Sequence, residues 1–389
     1  MAAVLAIEAP ELLIDRLGQS MLAFYADLEA RLLTDIARRL AAGAAATPDL
    51  LARLQAVREL EDLARSLLTS ADPATVAARI IDTAERAGVA VAAAQVGLGG
   101  SLARPIPSAS AINAIVALRL DLENRLTDMH LRIVRGVADI YRDLAADLLP
   151  NFIIGVETVQ ATRARLADAL LDRGLSAFTD ASGRQWRIGT YAEMVTRTTG
   201  MRALNEATIA RFQDLGIGLI TPVGSRTACD KCAPWQGKVL STDGTLPGLV
   251  NLPSVFDPNV TVTVRVDATL DHARASGLFH PNCRDVSAPV MPGAGMPVQL
   301  PPGFDAASNQ AEVAAVRRLR TLEVRVRDAK RRLQIALALG LDEQVPALRR
   351  VVRDRQAEIR RHVTTTGVTR RPYREQLTFS DGGTANPRG

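Results

Sequence analysis

The chain has 389 residues, 47% hydrophobic and 23% charged, an ordinary globular composition with ample length for a buried core and for two or three domains. No 18-residue apolar run occurs, which excludes a transmembrane helix. The opening MAAVLAIEAPELLID has no basic stretch and meets Glu8 and Glu11 early, so no secretory signal peptide is expected.

Charge and basic residue type are unevenly used. The formal net charge is +5, yet residues 313–374 hold 17 Lys/Arg against 6 Asp/Glu, a net of +11 that leaves −6 on the remainder. Only Lys231, Lys238 and Lys330 are lysines, a bias that coding composition alone can produce. A basic arm faces either nucleic acid, an acidic protein surface, or simply solvent.

In chain order, residues 1–174 read as helical, a bundle or a stalk. Leu12, Ile14, Leu17, Leu22 and Leu32 recur at helical spacing, and Gly43 ends that run. Thr47-Pro48 and Asp72-Pro73 both read as cap and first-turn pairs. The helix after Pro73 is expected to reach about Gly88. Residues 89–110 break the pattern, with Gly99-Gly100 and the Pro105/Pro107 pair marking a hinge or loop. A long helix over about 111–148 is expected to stop at Pro150, and another over 156–173 at Gly174.

The texture changes at about 175, where a small α+β domain over 175–290 is expected. Asp180–Gly183 is a turn signal, 184–188 a short strand and 190–214 helical. Further strands are expected over 216–223 and 238–241. The alternation of Val260, Val262, Val264 and Val266 with Thr261, Thr263 and Arg265 is the cleanest strand of all. Residues 291–304 form a Pro/Gly linker. Beyond it, helices over about 306–339 and 344–363 predict a basic antiparallel helical hairpin, 305–374, followed by a flexible tail, 375–389. The fold class is thus α+β, mainly α.

Chemistry concentrates in one place. All three cysteines and one of four histidines fall into Cys229-x-x-Cys232 and His280-x-x-Cys283, separated by 47 residues. Two ligands three apart fit one tight turn, and a Cys3His set has the count and softness for tetrahedral zinc, here a structural knuckle stapling two distant loops. The plain alternative is buried or free thiols. A redox reading lacks a helix starting at the motif. Three thiolates and an imidazole leave no open position for water. HExxH, GxSxG and GxxxxGK[ST] are all absent. His272 is a spare ligand or base at most, while His130 and His362 lie on long helices. Glu193 and Arg197 are spaced i, i+4, an ordinary helix pair more often than a catalytic one.

These residues carry a resemblance. FTDASGRQWRIGTYAEMVTRTT (178–199), CDKCAPWQGKVLSTDG (229–244) and LFHPNCRD (278–285) are similar, in order and rough spacing, to the phage minor capsid protein type 2 family, whose relatives include the phage Mu F-like head morphogenesis proteins. The Arg-rich helices resemble the tail of those proteins more loosely, and the first 150 residues match only in being helical. Cys229, Cys232, His280 and Cys283 are the positions carried over as the metal or fold-defining cluster. Trp235, Gln236 and Gly237 match the motif between them, Gly237 as a turn residue and Trp235 as packing. The sequence departs from the pattern at Asp285, where relatives often place another Cys or His; an aspartate can still ligate or accept a hydrogen bond around the metal.

What the resemblance implies is a non-enzymatic virion component, assembled in the host cytoplasm and housed in the capsid interior. Its implied partners are the portal protein and capsid or scaffold proteins, with a role in head assembly or DNA delivery. Packaged DNA is a further partner to expect through 313–374. The alternative is a zinc-containing DNA-binding or nuclease-like protein using that arm, although its one aromatic, Tyr373, supplies little base stacking. For an enzyme, Tyr191, Glu193 and Arg197 form the polar set to test.

Overall fold

The computed structural model describes residues 10–45, 50–97, 109–153, 158–179, 183, 185–224, 229–296 and 309–377. The Thr47-Pro48 start, the Gly99-Gly100 and Pro105/Pro107 segment, most of the Asp180–Gly183 turn, residues 297–304 of the linker and the tail beyond 377 lie outside them. The protein is mainly helical with a small mixed sheet. Among the described residues no helix is long and apolar enough to cross a membrane.

The helices are α1 (Pro10–Ala45), α2 (Leu50–Leu68), α3 (Pro73–Gln95), α4 (Ala109–Ile153), α5 (Val159–Arg173), α6 (Ile188–Asp214), α7 (Leu270–Ala275), α8 (Asn309–Ala338) and α9 (Val345–Thr366). The strands are β1 (Ser176–Thr179), β2 (Gln185–Arg187), β3 (Leu219–Val223), β4 (Leu240–Ser241), β5 (Gly248–Pro253), β6 (Thr261–Val266), β7 (Ala268–Thr269) and β8 (Val286–Pro289). Two compact units result, each drawn from three separate stretches of chain.

The first unit comprises Met1–Gly18, Ala74–Glu123 and Met194–Val316. Its sheet has the order β7-β4-β3-β8, with β4 and β7 parallel and the other neighbours antiparallel. One core gathers Ile209 and Phe212 of α6, Ile220 and Leu240 of the sheet, Leu270 and Ala273 of α7, and Cys232 and Cys283. A second core of Leu219, Val239, Val266 and Val290 receives one face of the β5–β6 ribbon through Val250, Leu252 and Val264. The expected alternation of β6 therefore holds: valines turn inward, and Thr261, Thr263 and Arg265 are exposed. The single covered face stabilises a two-stranded ribbon that would be marginal alone.

Three boundaries in this unit and its neighbourhood differ from expectation. Helix α3 continues past Gly88 to Gln95. Gly88 is a close-approach residue rather than a stop, since a Cβ there would stand 2.4 Å from the Leu204 carbonyl oxygen and 2.9 Å from Ala207 Cβ. Thr208 Oγ1 donates to the Gly88 carbonyl at 3.2 Å, tying α3 to α6. Residues 286–289, which fall within the expected α+β domain but outside any expected element, form β8, whose pairing with β3 offsets weak local preference. Helix α4 runs through Pro150 to Ile153, because a proline in a last turn forfeits only one backbone bond.

The second unit comprises Gln19–Pro73, Asn124–Glu193 and Arg317–Gly389. Helix α1 buries Leu22, Tyr25, Leu32, Leu33 and Ile36, and α4 buries Leu126, Met129, Ile133 and Val137, the one-face spacing of amphipathic helices. Tyr25 Oη lies 2.7 Å from His130 Nε2. Leu319, Leu322 and Val326 of α8 pack with Ile359 of α9, and Leu333 packs with Val345 and Val352. Beyond Thr366, at the junction of the hairpin with the tail expected to be flexible from 375, a 3-10 turn at Pro372–Glu375 places Arg374, Glu375 and Leu377 in buried positions.

Burial of Arg374 rests on ion pairing. Its Nη2 donates to Glu193 Oε2 at 2.9 Å, its Nη1 donates to Glu193 Oε1, and its Nε donates to Glu323 Oε2 at 2.9 Å. Its carbonyl accepts from Arg327. Burial works against the Arg374 charge, but Glu193 and Glu323 outweigh it and raise the pKa. For Arg327 burial wins instead and lowers the pKa to about 10. Alongside, the fully buried Glu29 pairs with Arg331 at 2.8 Å and Arg187 at 3.4 Å. Part of the +11 charge of 313–374 is thus neutralised inside the protein.

Candidate metal centre

The first unit brings the two halves of the Cys/His motif together. In the Cys229–Cys232 turn, the amides of Cys232 and Ala233 donate to the Cys229 carbonyl at 3.1 and 2.9 Å. A short 3-10 turn, Ala233–Trp235, follows. In the His280–Cys283 turn, the Cys283 amide donates to the His280 carbonyl at 2.9 Å. The two turns therefore close in the same way, three residues apart, and bring Cys229 against His280 and Cys232 against Cys283. Asn282 sits at φ 68° inside the second turn, a conformation that asparagine tolerates better than most residues.

Helix α6 fixes the second turn. Thr198 Oγ1 accepts from the Asn282 amide at 3.0 Å. Asn205 Nδ2 donates to the Asp285 carbonyl at 3.0 Å, and its Oδ1 accepts from the Ser287 amide at 3.0 Å. Arg197, noted in the sequence for its helical spacing, pairs with Asp15 at 2.9 Å. Asp15 also meets Arg284 at 3.3 Å. Arg197 is therefore a support behind the HPNC turn, not a group facing a cleft. Its sequence companion Glu193 holds Arg374, and Tyr191 is buried.

The donor atoms converge. Cys229 Sγ lies 2.8 Å from His280 Nε2, and Cys232 Sγ lies 3.4 Å from Cys283 Sγ. The latter is far longer than a disulfide of about 2.05 Å and near the roughly 3.8 Å edge of a tetrahedron with 2.3 Å metal–sulfur bonds. Donors of Cys229, Cys232 and His280 lie within 4.8 Å of one another, and so do those of Cys232, Cys283 and Asp285. Cys232 and Cys283 are buried, and Cys229 is half-buried.

The local hydrogen bonds suit a cation. His280 Nδ1 lies 2.6 Å from the Pro281 carbonyl oxygen. A carbonyl only accepts, so Nδ1 carries the proton and the Nε2 lone pair faces the thiols. The Asp285 amide donates to Cys283 Sγ at 3.4 Å, a contact that favours thiolate. With protons in place of a cation, the thiols are strained as acids. The Cys283 contact and then burial push the Cys232 pKa far above its ordinary value, burial raises Cys229, and the Cys232 contact raises His280 against burial. Burial lifts Asp285 to about 6. A bound cation would relieve all of these at once by replacing protons. Three sulfurs and one imidazole nitrogen fit zinc by chemistry and by number.

Of the other residues singled out in the sequence, Trp235 packs on the core beside Cys229 and meets His272 edge-on, ring centroids 6.1 Å apart. His272 is exposed on α7 and outside the donor cluster. Gly237 has φ 75°, as its turn role requires. Gln236 is buried, and its amide lies with the Asp285 carboxylate against Gly224, where a Cβ would come within 2.0 Å of Gln236 Nε2 and 2.3 Å of Asp285 Oδ1. His130 is absorbed by Tyr25 in the second unit. Sequence reasoning missed Glu323, Glu29 and Asp15, because a lone carboxylate on an amphipathic helix gives no signal that it will be buried.

A family profile described as phage minor capsid protein 2 matches residues 10–364. A structural protein of Lactococcus phage LL-H is 23% identical over 243 residues, which cover 62% of this chain and 62% of that protein. The chain thus spans less than two thirds of the length of that curated relative. No solved structure matches.

Proposed function

The chain belongs to the phage minor capsid protein 2 family, and from that premise we propose that it is a non-enzymatic minor capsid and head morphogenesis protein of a tailed phage or prophage. In this reading it lies in the capsid interior near the portal, contacts portal and capsid or scaffold proteins, and assists head assembly or DNA delivery. The observation that carries the structural role is the extent of the family match, residues 10–364, which takes in both units and the metal centre.

The residue chemistry agrees with a structural role. The polar set Tyr191, Glu193 and Arg197 is bound into buried ion pairs and packing. A cleft of about 500 Å³ in the first unit is lined by Glu206, Gln213, Thr242, Asp271 and Arg274. Its Glu206–Arg274 pair is closed at 2.5 Å, and Ser241 Oγ donates to the Thr245 carbonyl at 2.6 Å rather than to a base.

The Cys229, Cys232, His280 and Cys283 cluster is read as a structural zinc knuckle. It would staple the turn before β4 to the turn before β8, and when bound the ion supplies cross-linking, not chemistry. Early α8 residues pack with late α9 residues, and late with early, which supports the antiparallel hairpin. A second reading, contact with packaged DNA, rests on the exposure of Arg350, Arg353, Arg360 and Arg361 on α9. Quantitative mass spectrometry of purified heads, scaled to the portal protein, tests the main reading. A fixed low ratio to portal supports it, and absence from procapsids and virions overturns it.

A further inference from the structure

We infer that Asp285 is a fifth donor of the metal centre, so that the ion is held by three thiolates, the His280 imidazole and a carboxylate rather than by a closed four-ligand set. This assignment rests on the zinc reading above and goes beyond it.

Three observations carry it. Asp285 is 3% exposed, and its Oδ2 makes no hydrogen bond among the described residues, while Gln236 and Cys232 beside the carboxylate favour its charged form. An orphaned buried carboxylate oxygen is costly, and a cation at the cluster would satisfy it. Its donor atom lies within 4.8 Å of Cys232 and Cys283, a triad that shares Cys232 with the Cys229–His280 triad. Its backbone is held at both ends, the carbonyl by Asn205 and the amide against Cys283 Sγ. The carboxylate is therefore placed by α6 and by the cluster itself, with the Gly224 backbone closing the far side.

The two triads share Cys232. An ion held by Cys232 would have Cys229, His280, Cys283 and Asp285 as its further candidate donors. Zinc is almost always tetrahedral in structural sites, but its filled d shell imposes no geometry of its own, so a fifth donor is open to it.

The test uses the full chain, reduced and loaded with zinc or cobalt. Zinc-edge X-ray absorption of the wild type should show three sulfurs and two nitrogen or oxygen neighbours; three sulfurs and one would overturn the inference. Cobalt-loaded wild type should show weaker d–d bands than Asp285→Ala, which has no oxygen donor at this position, and Asp285→Ala should bind zinc about 10- to 100-fold more weakly. Asp285→Cys should gain one thiolate's worth of sulfur-to-cobalt charge transfer. Identical spectra and affinities across the three proteins, with far-UV circular dichroism unchanged, would also overturn it. A wild type that takes up neither metal sinks the zinc reading itself, a result separate from all of these.

Discussion

Glu193 receives both terminal guanidinium nitrogens of Arg374 across 181 positions of sequence, while Glu323 receives the remaining Nε. One arginine thus bridges two buried carboxylates, with Arg320 as the second cation on Glu323 at 2.8 Å.

Removing that arginine takes the two-pronged partner away from buried Glu193, while Glu323 keeps Arg320 at 2.8 Å. Arg374→Met should destabilise the protein by about 3–5 kcal/mol in denaturant titration. Adding Glu193→Gln should recover part of the loss, with a coupling above about 1 kcal/mol in the double-mutant cycle. Additive losses would mean that the pair contributes no coupling energy.

Gly88→Ala sets two effects against each other. Helix propensity favours alanine by about 1 kcal/mol. The added Cβ meets the Leu204 carbonyl at 2.4 Å, an overpacking that costs about 1–3 kcal/mol. The steric term should win, lowering the melting temperature by several degrees; a stabilised variant would show that α3 can move away from α6.

His130 makes stability depend on pH. Burial lowers its pKa from 6.5 to about 4. The folded state therefore resists protonation more than the unfolded chain does, and its contribution is intact above pH 6.5 and lost as pH falls toward 4. The loss should be on the order of 3 kcal/mol. His130→Phe should flatten the stability profile over that window, and an unchanged slope would assign the acid sensitivity elsewhere.

The metal centre predicts a content of about one zinc per chain by elemental analysis. Cys232→Ser should abolish it, because Cys232 belongs to both donor triads. Chelation should lower thermal stability of the wild type and leave Cys232→Ser unmoved. Equal metal content in the two proteins would refute the assignment.

DNA binding through α9 predicts steep salt dependence. Replacing Arg350, Arg353, Arg360 and Arg361 with glutamine should reduce the slope of log affinity against log salt by about 0.9 for each phosphate no longer neutralised. A slope unchanged by all four substitutions would point to a solvated face.

The parts of this protein that are legible in its sequence are those written in rare residues or short periods. Cys229, Cys232, His280 and Cys283 stand out because cysteine is scarce here and the spacing is local. The valine alternation of β6 is equally plain. The family resemblance is visible over 178–285, whereas the family match runs from 10 to 364; helical stretches dilute a motif with residues that many helices share. Gly88 misleads because the same residue type ends helices and permits their close approach. Strands β5 and β8 carry Gly or Pro and gain their conformation from pairing. Glu193 with Arg374 is out of reach altogether, since no local pattern links positions so far apart.

The interrupted make-up of the second unit also sets a schedule. Glu29 is fully buried against Arg331, which leaves the ribosome roughly 300 residues later, a delay of about 15–60 s at ordinary synthesis rates. Throughout that interval Glu29 has been made and its partner Arg331 has not. Newborn chains must be shielded during this wait, so yield from an expression host should depend on chaperone supply and on elongation speed more than on the stability of the finished protein.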